Sequence, residues 1–217
     1  NTGEDKLKRS IELGVGHISI GVSSTLCKYM LLPYLNEFIH QNPHISISIS
    51  CQSTNETLRL LDDNKIDIGL IGKPDNFKGF QFDFLGNIED TFVATPEYIS
   101  NLKERGIKED DILEHATLML LDKNNLTRKY IDEYFQDNLI NVSDTIDISD
   151  MGLLIDFAKI SVGVACVIKS FVAKELNRGK LIEIPLELPI PTREVGFAYK
   201  DTVKPSKALE CFIDFYK

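Results

Sequence analysis

From Ile45 to Ser50 isoleucine and serine alternate without a break, Ile45-Ser46-Ile47-Ser48-Ile49-Ser50. Neighbouring side chains point to opposite faces only in an extended chain, so this run is committed to a strand with one apolar face. What flanks it follows a different period. Upstream, Leu26, Met30, Leu31, Tyr34, Leu35 and Phe38 recur at helical spacing behind Ser23-Ser24-Thr25, whose hydroxyls can cap a helix. Pro33, lacking an N–H, has to stand in a fresh first turn or at a kink. Before that helix, Ile18, Ile20 and Val22 alternate from His17 as another strand. After Ser50, Ser53 and Thr54 offer caps for a short helix through Leu58 and Leu61. Ile66-Asp67-Ile68-Gly69-Leu70-Ile71 then reads as a buried strand ending in the turn Gly72-Lys73-Pro74. The order up to Pro74 is β-α-β-α-β.

The same order returns further along. Phe80 to Leu85 and Thr91 to Ala94 are strands, the second stopping at Thr95-Pro96, and Glu97 to Arg105 is helical. Then come strand Leu118 to Leu121, loop Asp122 to Thr127, helix Arg128 to Asp137, strand Thr145 to Ile148, helix Asp150 to Ile160 and strand Val164 to Ile168. Two similar α/β halves are implied. Leu181 to Ile184 and Val195 to Tyr199 are the last strands, and the proline-rich Pro185 to Pro191 between them suggests a crossing. The final helix puts Leu209, Phe212, Ile213 and Tyr216 on one face, so it docks on a core.

A chain of 217 residues with 43% hydrophobic and 26% charged content can bury a substantial core. Its net charge of −9 repels the phosphate backbone, which argues against DNA binding by this segment. No apolar run approaches the roughly 20 residues of a membrane span, and Asn1 to Ser10 is too polar for a signal peptide. Cys27, Cys51, Cys166 and Cys211 lie far apart without a CxxC pair, so neither zinc nor a disulfide framework is expected. A cytoplasmic location is the simpler reading. Cys27 sits in a first helical turn, where a helix dipole could activate it, but no second cysteine is near in sequence, and a packed, inert thiol is expected. His17, His40, His44 and His115 show no metal spacing. Gly21-Val22-Ser23 does not extend to a nucleophile elbow, because Thr25 stands where that motif needs glycine. No catalytic residue, metal or cofactor is expected.

Taken in order, Ile20-Gly21-Val22-Ser23-Ser24-Thr25-Leu26, Leu31-Leu32-Pro33-Tyr34-Leu35 with Phe38 and Pro43, Leu60-Leu61 with Ile66 to Ile71, and Val162-Gly163-Val164-Ala165 before Val167-Ile168 resemble the effector-binding domain of LysR-type transcriptional regulators. The resemblance covers about Gly14 to Tyr216. It implies an α/β, two-lobed fold like that of type 2 periplasmic binding proteins: two Rossmann-like subdomains joined by two crossover strands, with ligand between them. Lobe one would hold residues 17–92 plus 195–217 and lobe two 93–194, while 1–16 would end a linker helix behind a winged helix-turn-helix absent from this chain. Promoter DNA would be bound only through that missing domain. In paired effector domains of this family the first helix and second strand pack antiparallel against the partner's second lobe. A homodimer or tetramer is therefore implied, with Leu31 and Leu35 partly core and partly interface. Many relatives carry a glycine-serine-glycine-threonine loop where this chain has Asn124-Asn125-Leu126-Thr127, with Arg128 retained in position.

Open α/β sheets place ligands at the carboxyl ends of parallel strands, where helix starts present free N–H groups. Here that selects Ser23, Ser24, Thr25, Gly72, Thr95, Asn125, Thr127, Ser149 and the strand end Ile168 as effector contacts. Ser23, Thr25, Thr127 and Ser149 read equally well as plain helix caps, while the family pattern raises Ser24 and Thr25 above the others. Helix starts favour anions, and Lys73, Lys123 and Arg128 lie near these loops, which points to an anionic small-molecule effector; Asp150 counts against a highly charged one. The alternative is a solute-binding protein of a transporter with the same fold. An enzyme on this fold would need an acid/base cluster or cofactor motif, and none is seen.

Overall fold

The computed structural model describes residues 16–75 and 78–217. The linker helix expected over residues 1–16 lies almost wholly outside them. The chain divides into two compact units: unit 1 runs to Gly86 and resumes over Glu194–Lys217, and unit 2 is Asn87–Arg193. The division thus falls after Gly86 and after Arg193, where residues 92 and 194 were expected. The strand Asp90–Ala94 explains the first difference, because it hydrogen-bonds into the sheet of unit 2.

In unit 1 the chain forms β1 (Gly16–Val22), α1 (Ser24–Leu26), a π segment (Cys27–Leu31), α2 (Leu32–Gln41), β2 (Ile45–Cys51), α3 (Thr54–Asp62), β3 (Ile68–Gly72) and β4 (Phe80–Ile88). The π segment is the local answer to Pro33. Proline cannot donate to the carbonyl four residues back, and the chain inserts one wider turn in which the Leu32 N–H reaches Cys27 O instead. Three glycines set the packing of helices on the sheet. A Cβ on Gly69 would lie 2.6 Å from Thr57 Cγ2, and one on Gly16 would lie 2.6 Å from Ala208 Cβ. Gly21 has the same role: its bare face lets Thr57, itself fully buried, sit against β1 and accept a hydrogen bond from Gln52 Nε2 at 2.9 Å.

The chain returns to unit 1 through β10 (Arg193–Lys200) and α9 (Lys207–Tyr216). Among the described residues the sheet order is β2-β1-β3-β10-β4, with β1, β2 and β3 parallel and β10 antiparallel to β3. The expected apolar face of the last helix does dock. Phe212 is fully buried and meets Phe38 at 5.0 Å and Phe197 at 5.2 Å between ring centroids, both edge-on. Such a buried ring contributes about 1.5–3 kcal/mol through area alone.

At the other end of α9, Tyr216 and Tyr199 both donate to Asp83 Oδ2, at 2.9 and 3.1 Å. Burial, followed by Asp83, pushes the Tyr199 phenol up to about 12, and burial with the Asp83 hydrogen bond raises Tyr216 further. A raised phenol pKa favours the native state fully below the unfolded value of about 10, and the advantage disappears as pH climbs through the folded value. Stability should therefore hold up to about pH 10 and fall steadily above it. Phenolate absorbance is the check: Tyr199 and Tyr216 ionising at the ordinary tyrosine pH in the folded protein would refute the assignment.

Unit 2 contains β5 (Asp90–Ala94), α4 (Pro96–Glu104), α5 (Ile112–His115), β6 (Thr117–Leu121), α6 (Leu126–Asp137), β7 (Asp144–Ile148), α7 (Met151–Lys159), β8 (Val164–Ile168), α8 (Ala173–Asn177) and the short β9 (Ile182–Glu183). Its sheet order is β7-β6-β8-β5-β9 among the described residues. Strands β6, β7 and β8 are parallel, whereas β5 runs antiparallel to β8 and β9. Gly163 admits β8 beside β6, since a Cβ there would lie 2.3 Å from the Thr117 carbonyl oxygen. The core stacks Phe92 on Phe135 at 5.7 Å, beside Leu118, Leu120, Ile131, Val164 and Cys166. Pro185 to Pro191 does not cross out of the unit as expected. It is strapped onto α6 by Tyr134 Oη donating to Leu188 O at 2.6 Å and Tyr130 Oη donating to Pro191 O at 2.9 Å.

Candidate functional site

In unit 1 the parallel β1, β2 and β3 end at Val22, Cys51 and Gly72, so the segments beginning at Ser23, Gln52 and Lys73 share one edge of the sheet. Ser23 is the cap: its Oγ accepts the Leu26 N–H at 3.2 Å. Ser24 is exposed and Thr25 half-buried in the first turn, which leaves the cap role to Ser23 and places the two following hydroxyls at the rim. Gln52 joins this edge through its N–H, which donates to Val22 O at 3.0 Å. Gly72 is buried and paired with Val195 of β10, so its backbone belongs to the sheet. Lys73 is ion-paired with Glu194 and lies over the Phe82 ring. It is not a free cation.

In unit 2 the equivalent edge lies at the ends of β6, β7 and β8. Asn125, not Thr127, caps α6: its Oδ1 accepts the Thr127 N–H at 2.9 Å, and Thr127 is already inside the first turn. Asp150, not Ser149, caps α7 through Oδ1, which accepts the Leu153 N–H at 3.1 Å. Thr127 is thus half-buried and Ser149 exposed without either being the cap. Ile168 ends β8, buried and opposite Asp90. Thr95 lies elsewhere. Because β5 is antiparallel to β8, its end falls at the start of β8, where Thr95 Oγ1 bonds Ser161 Oγ at 2.7 Å and caps α4 through the Tyr98 N–H. It is at the opposite edge from Asn125, Thr127, Ser149 and Ile168.

The charges at this edge are largely matched. Buried Arg128 donates to Asp147 Oδ1 at 2.6 Å, Asp132 Oδ1 at 2.8 Å and Leu121 O at 2.9 Å, so it ties α6 to β6 and β7. Burial pulls its pKa down, but the two carboxylates outweigh this and raise it. Lys169 bridges Glu89 at 3.3 Å and Glu183 at 3.1 Å. Asp122 accepts the Asn124 N–H at 3.0 Å. Of the cations proposed for an anion, only Lys123 forms no ion pair among the described residues.

Sequence reasoning missed the strongest buried pair of unit 2. Asp90, fully buried, receives both Nε and Nη2 of Arg193 at 2.7 and 2.8 Å, and the guanidinium lies 5.3 Å from the Tyr130 ring centre. These partners are 103 positions apart, and only the acidic start of β5 could have hinted at them. Among the described residues no cluster of three or more His, Cys, Asp or Glu is placed to hold a metal, and no helix is long and apolar enough to cross a membrane.

The chain is similar to several transcriptional regulators. The Escherichia coli HTH-type transcriptional regulator YeiE is 23% identical over 202 residues, covering 92% of this chain and 67% of that protein. CfxR of Cupriavidus necator is 25% identical over 179 residues, covering 82% of this chain but 55% of the relative. The chain therefore spans roughly half to two thirds of the length of these relatives. Among solved structures, the Synechocystis CcmR regulatory domain in complex with 2-PG superposes with a TM-score of 0.77 at 16% identity, covering 93% of this chain and 95% of that one. The QuiR effector-binding domain in complex with shikimate gives 0.72, also at 16% identity, with coverage of 93% and 95%. The family model described as the LysR substrate binding domain matches residues 12–217. Since this match takes in every described strand and helix, the chain belongs to the LysR substrate-binding domain family.

Proposed function

We propose that the chain is the effector-sensing part of a cytoplasmic LysR-type transcriptional regulator that performs no catalysis. The observation that carries this reading is the shared construction of the two units: in each, parallel strand ends lead into capped helix starts that carry an exposed hydroxyl, Ser24 in unit 1 and Ser149 in unit 2, at one edge. Such groups both donate and accept, which suits a small polar ligand held without covalent chemistry. Similar regulatory domains hold sulfate, 2-PG and shikimate, which favours a regulator over a transporter component. In this reading Ser24 and Thr25 in unit 1, and Thr127 in unit 2, contact the effector at the edge of their own unit. Because Lys73, Lys169 and Arg128 are already paired, an anionic effector depends on helix starts and Lys123, which fits one carboxylate better than a highly charged group.

The effector acts on transcription by binding one arrangement of the full-length regulator more tightly than another, and DNA is contacted outside this segment. A thermal-shift screen of small carboxylates, neutral polyols and amines tests the ligand class: stabilisation by neutral or cationic compounds alone removes the anion. For any hit, Thr25→Val should weaken binding about 10-fold, the cost of one lost hydrogen bond to a charged group. An unchanged affinity in calorimetry would take Thr25 out of the site.

A homodimer or tetramer is supported by apolar side chains left uncovered on helix and edge-strand faces. In unit 1 these include Leu32, Ile39 and Ile49, and in unit 2 Leu153, Phe157 and, just past the end of α7, Ile160. Leu31 and Leu35 are buried within unit 1 and so belong to its core rather than to a subunit contact. Replacing Leu32 or Leu153 with Glu should convert the assembly to monomers in sedimentation velocity, with the fold kept. A monomeric parent protein, or variants that still assemble, would refute these faces as the contact.

A further inference from the structure

Unit 2 has a hollow of about 130 Å³ between α5, the end of α6 and the 184–188 segment. Thr127 stands in the first turn of α6, whereas Tyr134 and Asn138, which line the hollow, stand in its last turn and just past it. The 12 residues of α6 set its two ends about 18 Å apart, so the hollow is separate from the strand-end edge. Its lining is of two kinds. Leu113 and Ile184 are buried and Ile140 and Leu186 half-buried, whereas Glu109, Asp110 and Glu187 are exposed and Glu114 half-buried. That difference in burial puts apolar groups on the floor and carboxylates at the mouth. Tyr134 Oη, donating to Leu188 O at 2.6 Å, fixes the 184–188 segment in place, so the hollow is preformed.

The charge at the mouth is unmatched. No lysine or arginine lines the hollow, and none of its four carboxylates forms an ion pair among the described residues. Glu114 is nonetheless held in place, since its Oε1 accepts the Asn141 N–H at 3.4 Å and its main-chain oxygen accepts the Ser143 hydroxyl at 2.6 Å. The C-terminus of α6 adds partial negative charge at the same spot. Apolar surface is uncovered there too: Leu139, between the lining residues Asn138 and Ile140, is 88% exposed, more than any other large apolar side chain among the described residues. We propose that this hollow binds a small organic ammonium ion whose aromatic or alkyl body is about the size of one ring. An apolar cavity of about 150 Å³ takes one benzene ring, so the volume fits. The apolar body displaces water from Leu113, Ile184 and Leu186, while the ammonium group stays at the mouth and donates to Glu114 and its neighbours. A neutral ligand would leave the carboxylates unmatched, and a bare metal cation would leave the floor uncovered.

The probe is benzylamine, titrated into the chain at neutral pH and followed by calorimetry and by amide chemical-shift mapping. Two comparators separate the contributions: benzyl alcohol has the body without the charge, and methylamine the charge without the body. Benzylamine is expected to bind at one saturable site about 10-fold more tightly than either, with shifts centred on Leu113, Asn138 and Ile140. Glu114→Gln should weaken binding about 5-fold with the melting temperature kept, the scale of one partly exposed ion pair. Glu210→Gln removes the same charge from an exposed position on α9 in unit 1 and should leave the affinity unchanged. Absence of saturable binding, a comparator that binds as tightly as benzylamine, equal affinities for the two variants, or shifts centred on Thr127 and Ser149 would each overturn the site.

Discussion

Phe212→Ala is expected to cost about 3–5 kcal/mol of unfolding free energy, read as a fall in the urea midpoint of unit 1 with little change in slope. Phe212 is fully buried, and its ring touches Phe38 on α2, Phe197 on β10 and, at 5.5 Å, Tyr216 one turn on. Removing it opens a cavity where three elements join, and none can relax alone: α2 is fixed by the Pro33 turn, β10 by its pairing with β3, and α9 by Asp83. Phe212→Leu should recover most of the loss by refilling volume without the edge-on ring contacts. A drop below about 1 kcal/mol for the alanine variant would show that α9 shifts to close the gap.

Arg193→Met is the counterpart in unit 2, with an expected loss of about 3–5 kcal/mol, because it strands the Asp90 carboxylate, which has no solvent exposure at all. The cost arises from the uncompensated charge more than from the lost attraction. Replacing both partners with apolar groups, Asp90→Leu with Arg193→Met, should therefore be closer to the parent than either single change. Arg193→Lys should not rescue, since one ammonium cannot reproduce the two parallel bonds to Oδ1 and Oδ2. The decisive measurement is the double-mutant cycle in urea: single variants within about 1 kcal/mol of the parent would mean that water already reaches Asp90.

The elements themselves were legible because two periods, two and 3.6, are hard to mimic. Ile45 to Ser50 is the strand it reads as, and the last helix buries the face its spacing selects. What periodicity cannot carry is direction and cover. Thr91 to Ala94 reads the same whether the strand runs parallel or antiparallel, so Thr95 was placed at the wrong edge of its sheet. Alternation gave β2 an apolar face without saying that an edge strand is only partly roofed, so Ile45 is buried while Ile49 is 41% exposed. Caps were misassigned by a residue or two, because Asn125, Thr127, Ser149 and Asp150 are all competent and only the backbone conformation chooses. A pair as distant in sequence as Asp90 with Arg193 cannot be read from periodicity, which reports only neighbours along the chain.

The sheet of unit 1 is completed by β10, which lies between β3 and β4 although the whole of unit 2 separates it from them along the chain. During synthesis, unit 2 is thus the first to have all its residues available, and unit 1 waits for the C-terminal segment. At roughly 5–20 residues per second the wait lasts many seconds, during which Leu70 and Ile71, almost wholly buried in the finished fold, have no neighbour on the open side of β3. A bare apolar strand edge of that kind is a template for pairing with other chains. Newborn unit 1 is accordingly the part of this protein that calls for a chaperone, and chains cut short before Arg193 should be recovered as aggregates.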